Sequence, residues 1–528
     1  MFDKNLLSVC LLGVFTFLFF SFKLSAVFQQ CGYRIKEFFS AVFCGKKKEI
    51  LRLSTYSVVF AVILIASTLF LKEYHTTFSL CVFITATILC QVYFATTKAV
   101  KKAKFTHRYV RIISVSALFS ALFCAFILQL VRAVLSLNFK FYGVISLALI
   151  PILVPLFISV GKIINYPYDL FRYKTSKAIC KKRLSKNKRL IKIGITGSSG
   201  KTSVKNYLAK MLATKYRVLA TPLSYNTPLG ICLTAKGGVE NYDVFIAEMG
   251  ARYKNDIKEL CKIVQPQIGV ITSILPQHTK TLGGIQGVKN AKYQLIQGLS
   301  GEKTSFFYND GSHLYDLYKQ TKTPKILIGD GGVVSWQNAV QRLNGIDFEL
   351  VVGKKVYKAF TPLLGFHNLQ NICIATSVAL LLNVEIGKIL AVIQNLTPPK
   401  HRAEIIRTEK GVTVIDDGYN ANIEGIKSTA AAISKMNGNK IAVTSGIVEL
   451  GKESKNLNEK VGRILAENFS LVIATGVNSP FIKDGVLQSH GNILVLENMQ
   501  KIKDYLSIQL KSGDVVAFFN DLPDVYDI

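Results

Sequence analysis

Residues 191–212, IKIGITGSSGKTSVKNYLAKML, decide the fold of the longer, carboxy-terminal part of this chain. An apolar run of strand type turns through glycines into a segment whose apolar positions recur at helical spacing. That is the setting of a phosphate loop. Gly197 and Gly200 let the backbone wrap a phosphate, and the amides of Ser198, Ser199, Gly200 and Lys201 point at it from a helix N-terminus. Lys201 is placed to neutralise β- and γ-phosphates of ATP and the Thr202 hydroxyl to ligate Mg2+, with Ser203 in the same turn. The strict eight-residue pattern asks for glycine at 195. Ile195 stands there, with glycines at 194 and 197 instead.

Upstream of this loop the composition changes. Apolar residues make up 50% of the 528, and nearly all the long apolar runs lie before residue 166. Five are long enough to span a bilayer: Leu6–Phe22, Ser54–Phe70, Phe78–Phe94, Ile112–Val131 and Phe141–Val160. The first opens with MFDKN rather than a basic segment and reads as a retained span, not a cleaved signal. Lys23 at its end reads as a snorkelling lysine, and Pro151 and Pro155 in the fifth span as packing-compatible kinks.

Lys and Arg outnumber Asp and Glu by 65 to 33, for a formal charge of +32. Clusters at Arg34–Arg52, Lys98–Arg111 and Arg172–Arg189 alternate with the nearly neutral loops LKEYHTT and LNFK. By the positive-inside rule the amino terminus lies outside and everything after residue 166 is cytoplasmic, in a multi-pass cell-membrane protein. Basic loops beside apolar segments fit anionic membrane lipids and argue against nucleic acid, which would require a basic face on the soluble part. Ten scattered cysteines without a CxxC pair exclude a zinc ribbon or disulfide framework.

Downstream, Glu248 ends the apolar strand VFIAE, where a carboxylate at the carboxyl edge of a parallel sheet can reach a metal near phosphates. GFHNLQN (365–371) opens a helix with apolar spacing. Asn371 there presents a donor and an acceptor together, and Asn368 suits a cap. From about residue 400 the strand-like runs VTVIDD, KIAVTSGI, SLVIATG, NILVLEN and DVVAFFN alternate with helical stretches, which argues for a second parallel α/β sheet.

Taken together, these segments resemble the Mur ligase family, from about residue 190 to the end. The motifs occur in family order: VLATPLSYNTPLGICLTA, DVFIAEMGARYKNDIKEL, IGVITSILPQHTKTLGG, GVKNAKYQLI, LLGFHNLQNICIATSVALLL, PPKHRAEII, VTVIDDGYNANIEGIKSTAAAI and SGIVELGKES. TGSSGKT is itself the family's form of the phosphate loop. The pattern is most similar to the MurF type, which adds D-Ala-D-Ala to a muramoyl peptide.

The resemblance implies a P-loop central domain over 190–399 and a Rossmann-like carboxy-terminal domain over 400–528, preceded by a five-helix membrane domain (1–166) and a basic linker (167–189). It implies ATP and Mg2+, with Thr202, Glu248, His278 and a carbamoylated Lys292 around the metal and Lys201, Lys292 and His278 in catalysis. Asn371 and Arg402 fall to the nucleotide, with Asp416 or Asp417 near ribose. Asn226, Thr227, Tyr419, Asn420, Asn422 and Glu449 fall to the substrates. DDGYNANI departs from the family's DDSYNANP at Gly418 and Ile423. The membrane segment stands where soluble relatives carry a nucleotide-sugar domain, so the muramoyl peptide is expected as a nucleotide- or lipid-linked species. A Mur-like ligase for another amino-acid acceptor, and a non-catalytic nucleotide-binding membrane scaffold, are the other readings.

Overall fold

The computed structural model describes residues 4–44, 103–135, 139–342, 344–418, 422–448, 450 and 453–519. The described chain divides into two compact units, one running to Arg172 and one from Tyr173.

The first unit is helical: α1 (Lys4–Gln30), α2 (His107–Leu135) and α3 (Phe139–Lys186), with a short turn of helix at Ile35–Phe39. The first, fourth and fifth expected spans fall inside α1, α2 and α3, whereas Ser54–Phe70 and Phe78–Phe94 lie outside the described residues. Among the described residues, His107–Ile127 is a 21-residue helical stretch long and apolar enough to cross a membrane. Phe17, Val27, Phe28, Phe38, Ile112, Val154 and Phe157 form a core between these helices. α3 continues without a break through Pro151, Pro155 and Pro167, so most of the basic stretch after the fifth span is helix.

In the second unit the glycine-rich turn joins β1 (Ile191–Thr196) to α4 (Lys201–Leu212), as strand and helix periodicity require. β2 (Val218–Ala220), β3 (Val244–Glu248), β4 (Ile268–Ile271), β5 (Thr304–Tyr308) and β6 (Lys325–Ile328) complete a parallel sheet in the order β2-β3-β1-β4-β5-β6. Their burial on both faces follows from near-continuous apolar runs such as VFIAE and IGVI. β1 pairs with both β3 and β4, so the phosphate loop leaves the sheet at the point where strand order reverses.

α5 (Pro228–Lys236), α6 (Asp256–Val264) and α7 (Gly284–Gln297) cover one face through Ile231, Ile257 and Leu295. α4 and α8 (His367–Leu381) cover the other through Val204, Leu208 and Ile372. An antiparallel sheet of β7 (Val334–Arg342), β8 (Gly345–Val352) and β9 (Lys355–Thr361) adds Ile346 and Leu350 to that core. The sequence reading did not separate this sheet.

The second sheet runs β10-β11-β15-β12-β13-β14, with β10 at Glu404–Arg407, β11 at Thr413–Asp417, β12 at Lys440–Thr444, β13 at Leu471–Ala474, β14 at Ile493–Val495 and β15 at Val515–Phe519. The five expected strands are parallel. β10 adds an antiparallel edge beside β11 that the sequence reading left out. α9 (Ile423–Ser434) follows β11 and packs Ile426, Ala430 and Ile433 under the sheet.

Candidate active site

Ile195 pairs with Glu248 and Thr196 with Ile271 at the carboxyl ends of β1, β3 and β4, so three loops converge at one edge. Ser273, just past β4, accepts from the Ser198 amide on its carbonyl at 2.9 Å and from the Ser199 amide on its hydroxyl at 2.7 Å. Two of the four loop amides expected to face phosphate are thus spent on holding the loop. Those of Gly200 and Lys201 remain at the N-terminus of α4.

Both loop glycines are required. A Cβ on Gly197 would stand 1.9 Å from Thr272 Oγ1, and Gly200, at φ +78°, would meet Asn371 Oδ1 at 2.4 Å. That second approach brings Asn371 of α8 against the phosphate loop. Its neighbour Asn368 accepts from the buried Tyr207 hydroxyl at 3.0 Å and serves to join α8 to α4.

The Lys201 ammonium donates to the carbonyls of Gly197 at 2.7 Å and Ser198 at 3.2 Å. Burial pushes its pKa down to about 8, against the opposing pull of Glu248. Lys292 is buried on α7, and desolvation, reinforced by the Lys201 charge, lowers its pKa well below the ordinary lysine value. The amine is therefore held toward its neutral, nucleophilic form, the form able to add CO2.

Glu248 is wholly engaged. Thr202 Oγ1 donates to its Oε2 at 3.0 Å, Lys205 Nζ lies 3.2 Å from the same oxygen, and Asn226 Nδ2 donates to Oε1 at 3.2 Å. Lys205 and Glu248 side chains are each 1% exposed. Lys205 also donates to the carbonyl of Leu223, which ties the 222–227 loop to the carboxylate. The sequence reading missed Lys205, one helical turn after Lys201 on the same face.

A cavity of about 390 Å3 lies on the other side of the loop. Ser199, Gly200, Ser203 and Asn371 line it from the first sheet's side, and Arg402, Asp417 and Asn422 from the second. Asp417 is held by the Thr429 hydroxyl and the Ala403 amide, both at 3.2 Å. Burial raises its pKa, with the Arg402 charge working against that shift. Asp416 points the opposite way, to His401 Nδ1 at 2.7 Å, as alternate strand residues must. Of the two aspartates left open by the sequence, Asp417 faces the cavity. His367 also lines it, and burial lowers the imidazole pKa to about 4.

Two expected substrate residues cap helices. Thr227 accepts from the Gly230 amide at the start of α5, and Asn422 from the Gly425 amide at the start of α9. His278 has a left-handed φ of +55° at the head of a short helix. The next hydroxyl, Thr279, donates to Leu450 of the second domain at 3.0 Å. Tyr419, Asn420 and Glu449 lie outside the described residues. Ser273 was also missed, although its place after a strand adjoining β1 is the signal that finds it.

For a hard divalent cation the test is donor chemistry. Thr202 and Glu248 already set a hydroxyl and a carboxylate oxygen side by side at 3.0 Å. Among the described residues there is no group of three or more His, Cys, Asp or Glu that could hold a metal ion.

Two family models match the chain, the Mur ligase middle domain over residues 195–379 and the Mur ligase glutamate ligase domain over 401–519, together more than half of it. The chain belongs to the Mur ligase family. Among its relatives, the UDP-N-acetylmuramoyl-tripeptide--D-alanyl-D-alanine ligase of Bacillus subtilis is 28% identical over 333 residues, 62% of this chain and 72% of that protein. The enzyme of the same name from Haemophilus influenzae is 28% identical over 303 residues, 56% of this chain and 66% of its own length. Among solved structures, MurF from Acinetobacter baumannii superposes with a TM-score of 0.61 at 24% identity, covering 66% of this chain and 77% of that one. MurF from Thermotoga maritima in complex with ADP gives 0.60 at 24% identity, covering 67% and 81%. The structural likeness establishes the shared two-domain Mur ligase fold.

Proposed function

We propose that the chain is an ATP-dependent, ADP-forming amide ligase of MurF type that joins D-Ala-D-Ala to a muramoyl tripeptide in peptidoglycan synthesis. The carrying observation is the arrangement of the phosphate loop. Its Ser199 and Gly200 line a cavity whose far wall brings Arg402 and Asp417 from the second sheet's side, and Lys201 is held against the loop carbonyls of Gly197 and Ser198. The relatives named for this reaction, across Bacillus and Haemophilus, support the choice of substrates.

The chemistry needs no covalent enzyme intermediate. A carboxylate oxygen of the tripeptide attacks the γ-phosphorus of ATP, ADP leaves, and an acyl phosphate forms. The dipeptide amine then attacks the acyl carbon and loses a proton, and phosphate departs as the amide closes. Lys201 supplies positive charge where phosphate oxygens accumulate negative charge, and the helix N-terminus adds its amides. Arg402 and Asp417 fix the nucleotide from across the cavity, and approach of the second domain excludes water that would hydrolyse the acyl phosphate. Mg2+ would be held by Thr202, Glu248, His278 and a carbamoylated Lys292, and would neutralise phosphate charge.

The apolar stretch His107–Ile127, with the alternation of basic and neutral loops, supports a multi-pass membrane anchor with its amino terminus outside and the ligase unit cytoplasmic. On this reading the muramoyl substrate is presented at the membrane, as a lipid-linked or nucleotide-linked species.

The test is ADP release and product mass from detergent-purified protein given ATP, Mg2+ and D-Ala-D-Ala with each form of the tripeptide. A product heavier by the dipeptide less one water supports the assignment, and faster turnover of the lipid-linked form supports presentation at the membrane. Absence of product from both forms, with a Lys201→Ala-sensitive ATPase retained, would refute the MurF assignment and move the search to other amine acceptors.

A further inference from the structure

In the first unit a cluster of charges takes no part in the reaction above. The Asp169 carboxylate accepts from Arg111 Nη2 at 2.7 Å on Oδ1, and from Lys162 Nζ at 2.7 Å and Arg108 Nε at 3.0 Å on Oδ2. Arg111 Nε also donates to Asn165 Oδ1 at 3.3 Å. Three cations thus surround a single anion. Burial alone would raise the Asp169 pKa, but the Lys162 hydrogen bond and the Arg108 and Lys162 charges outweigh it and leave the group below its ordinary value.

The surplus is more than a clasp between two helices requires, since one cation would neutralise the carboxylate. Arg108 and Arg111 lie in the first two turns of α2, which has no acidic residue in its first turn to balance the positive end of the helix dipole. Cations there are disfavoured unless a further anion joins them. Both guanidiniums are anchored over aromatic rings, Arg108 over Tyr33 at 4.5 Å and Arg111 over Tyr168 at 4.2 Å. They remain 42% and 35% exposed, with N–H donors to spare. The cluster stands at the start of the stretch His107–Ile127, at the level where a headgroup would meet a spanning helix.

We propose that Arg108, Arg111 and Lys162 form a binding site for the phosphate of an anionic lipid headgroup. The net charge of the cluster favours a dianionic phosphate monoester over a monoanionic diester. The assignment rests on the membrane reading of α2. Asp169 acts as a spacer that holds the three cations apart and ready for the ligand.

Full-length protein is reconstituted into phosphatidylcholine nanodiscs doped with phosphatidic acid or phosphatidylglycerol, and co-purified lipid is counted by mass spectrometry. Phosphatidic acid is expected to be enriched over phosphatidylglycerol. Arg108→Gln and Arg111→Gln should each weaken that enrichment about five-fold, the effect of one basic charge near a membrane surface. Asp169→Asn should strengthen it by a similar factor, an outcome that a purely structural clasp does not produce. Equal enrichment in all variants, or loss of enrichment in Asp169→Asn with ATPase activity intact, overturns the site. Displacement of the lipid by micromolar pyrophosphate would reassign it to a soluble phosphate compound and overturn the lipid assignment. A protein that stays soluble without bilayer or detergent would remove the membrane reading itself, whereas one that inserts without lipid preference removes only this site.

Discussion

Replacing Lys205 by methionine tests the construction of the site at its least accessible point. Lys205 Nζ and Glu248 Oε2 are 3.2 Å apart and both side chains are 1% exposed. At an effective dielectric of about 20, two unit charges at that separation attract by about 5 kcal/mol. Methionine keeps most of the stem volume and removes the charge, so Glu248 would be left buried with only the Thr202 hydroxyl and the Asn226 amide. Because those two donors still solvate the carboxylate, the loss should fall near the lower end of the range for a broken buried pair, about 3 kcal/mol.

Trp336, the single tryptophan, provides the assay. It packs against the core that holds Val204 and Leu208 of α4 and stacks on Phe366 at 6.0 Å, so its fluorescence in a urea titration follows unfolding of this domain. Lys205→Met should lower the midpoint strongly. Added to Glu248→Gln, the same change should cost about 1 kcal/mol or less, since no unpaired charge remains. An equal cost in both backgrounds would show that Lys205 contributes through packing alone and would refute the ion-pair argument.

Other substitutions separate roles that the sequence left merged. Asp417→Asn should raise the KM for ATP about ten-fold or more, the loss of a charged hydrogen-bond acceptor, while Asp416→Asn, facing His401, should change it little. His367 has a folded pKa of about 4 against 6.5 when unfolded, so the folded state resists protonation. Its contribution is complete above pH 6.5 and is lost as pH falls toward 4, up to about 3 kcal/mol. His367→Asn should flatten stability against pH in that window. Burial and the Lys201 charge disfavour the Lys292 ammonium, so Lys292 should take up CO2, and 13C-bicarbonate should give a carbamate NMR signal that is absent from Lys292→Arg.

Much of this architecture was legible because it depends on local periodicity. The run IKIGIT before glycines and a helical repeat can be little else than strand, phosphate loop and helix, and five apolar runs after residue 400 announced a parallel sheet. Lys205 was not legible. A lysine four residues after Lys201 reads as a solvated helix face, and only the pairing of β1 with β3 reveals that the turn faces Glu248. Thr227 and Asn422 carry a second role that the motifs did not announce. Thr and Asn before Pro228 and Ile423 have the chemistry of helix caps, and the structure uses it, with Asn422 also lining the cavity. The small sheet β7–β9 escaped because strands such as VSWQNAVQR, exposed on one side, carry weak alternation and follow directly on β6.

Arg402 raises the question of how one long side chain is held toward the cavity from the segment joining the two sheets. The residues on both sides answer it: His401 at φ +61° and Ala403 at φ +51° are left-handed, a conformation that costs a non-glycine residue about 1–2 kcal/mol. That backbone turns Arg402 to the cavity while the Ala403 amide donates to Asp417, one of its wall residues. Ala403→Gly should relieve the conformational cost and leave the unfolding midpoint unchanged or slightly higher, because glycine's extra freedom in the unfolded chain offsets part of the gain. The same freedom loosens the turn, so the KM for ATP should rise several-fold while the dipeptide KM stays near its original value. A fall in stability with no change in the KM for ATP would mean that the left-handed turn supports packing of the second domain and does not aim Arg402.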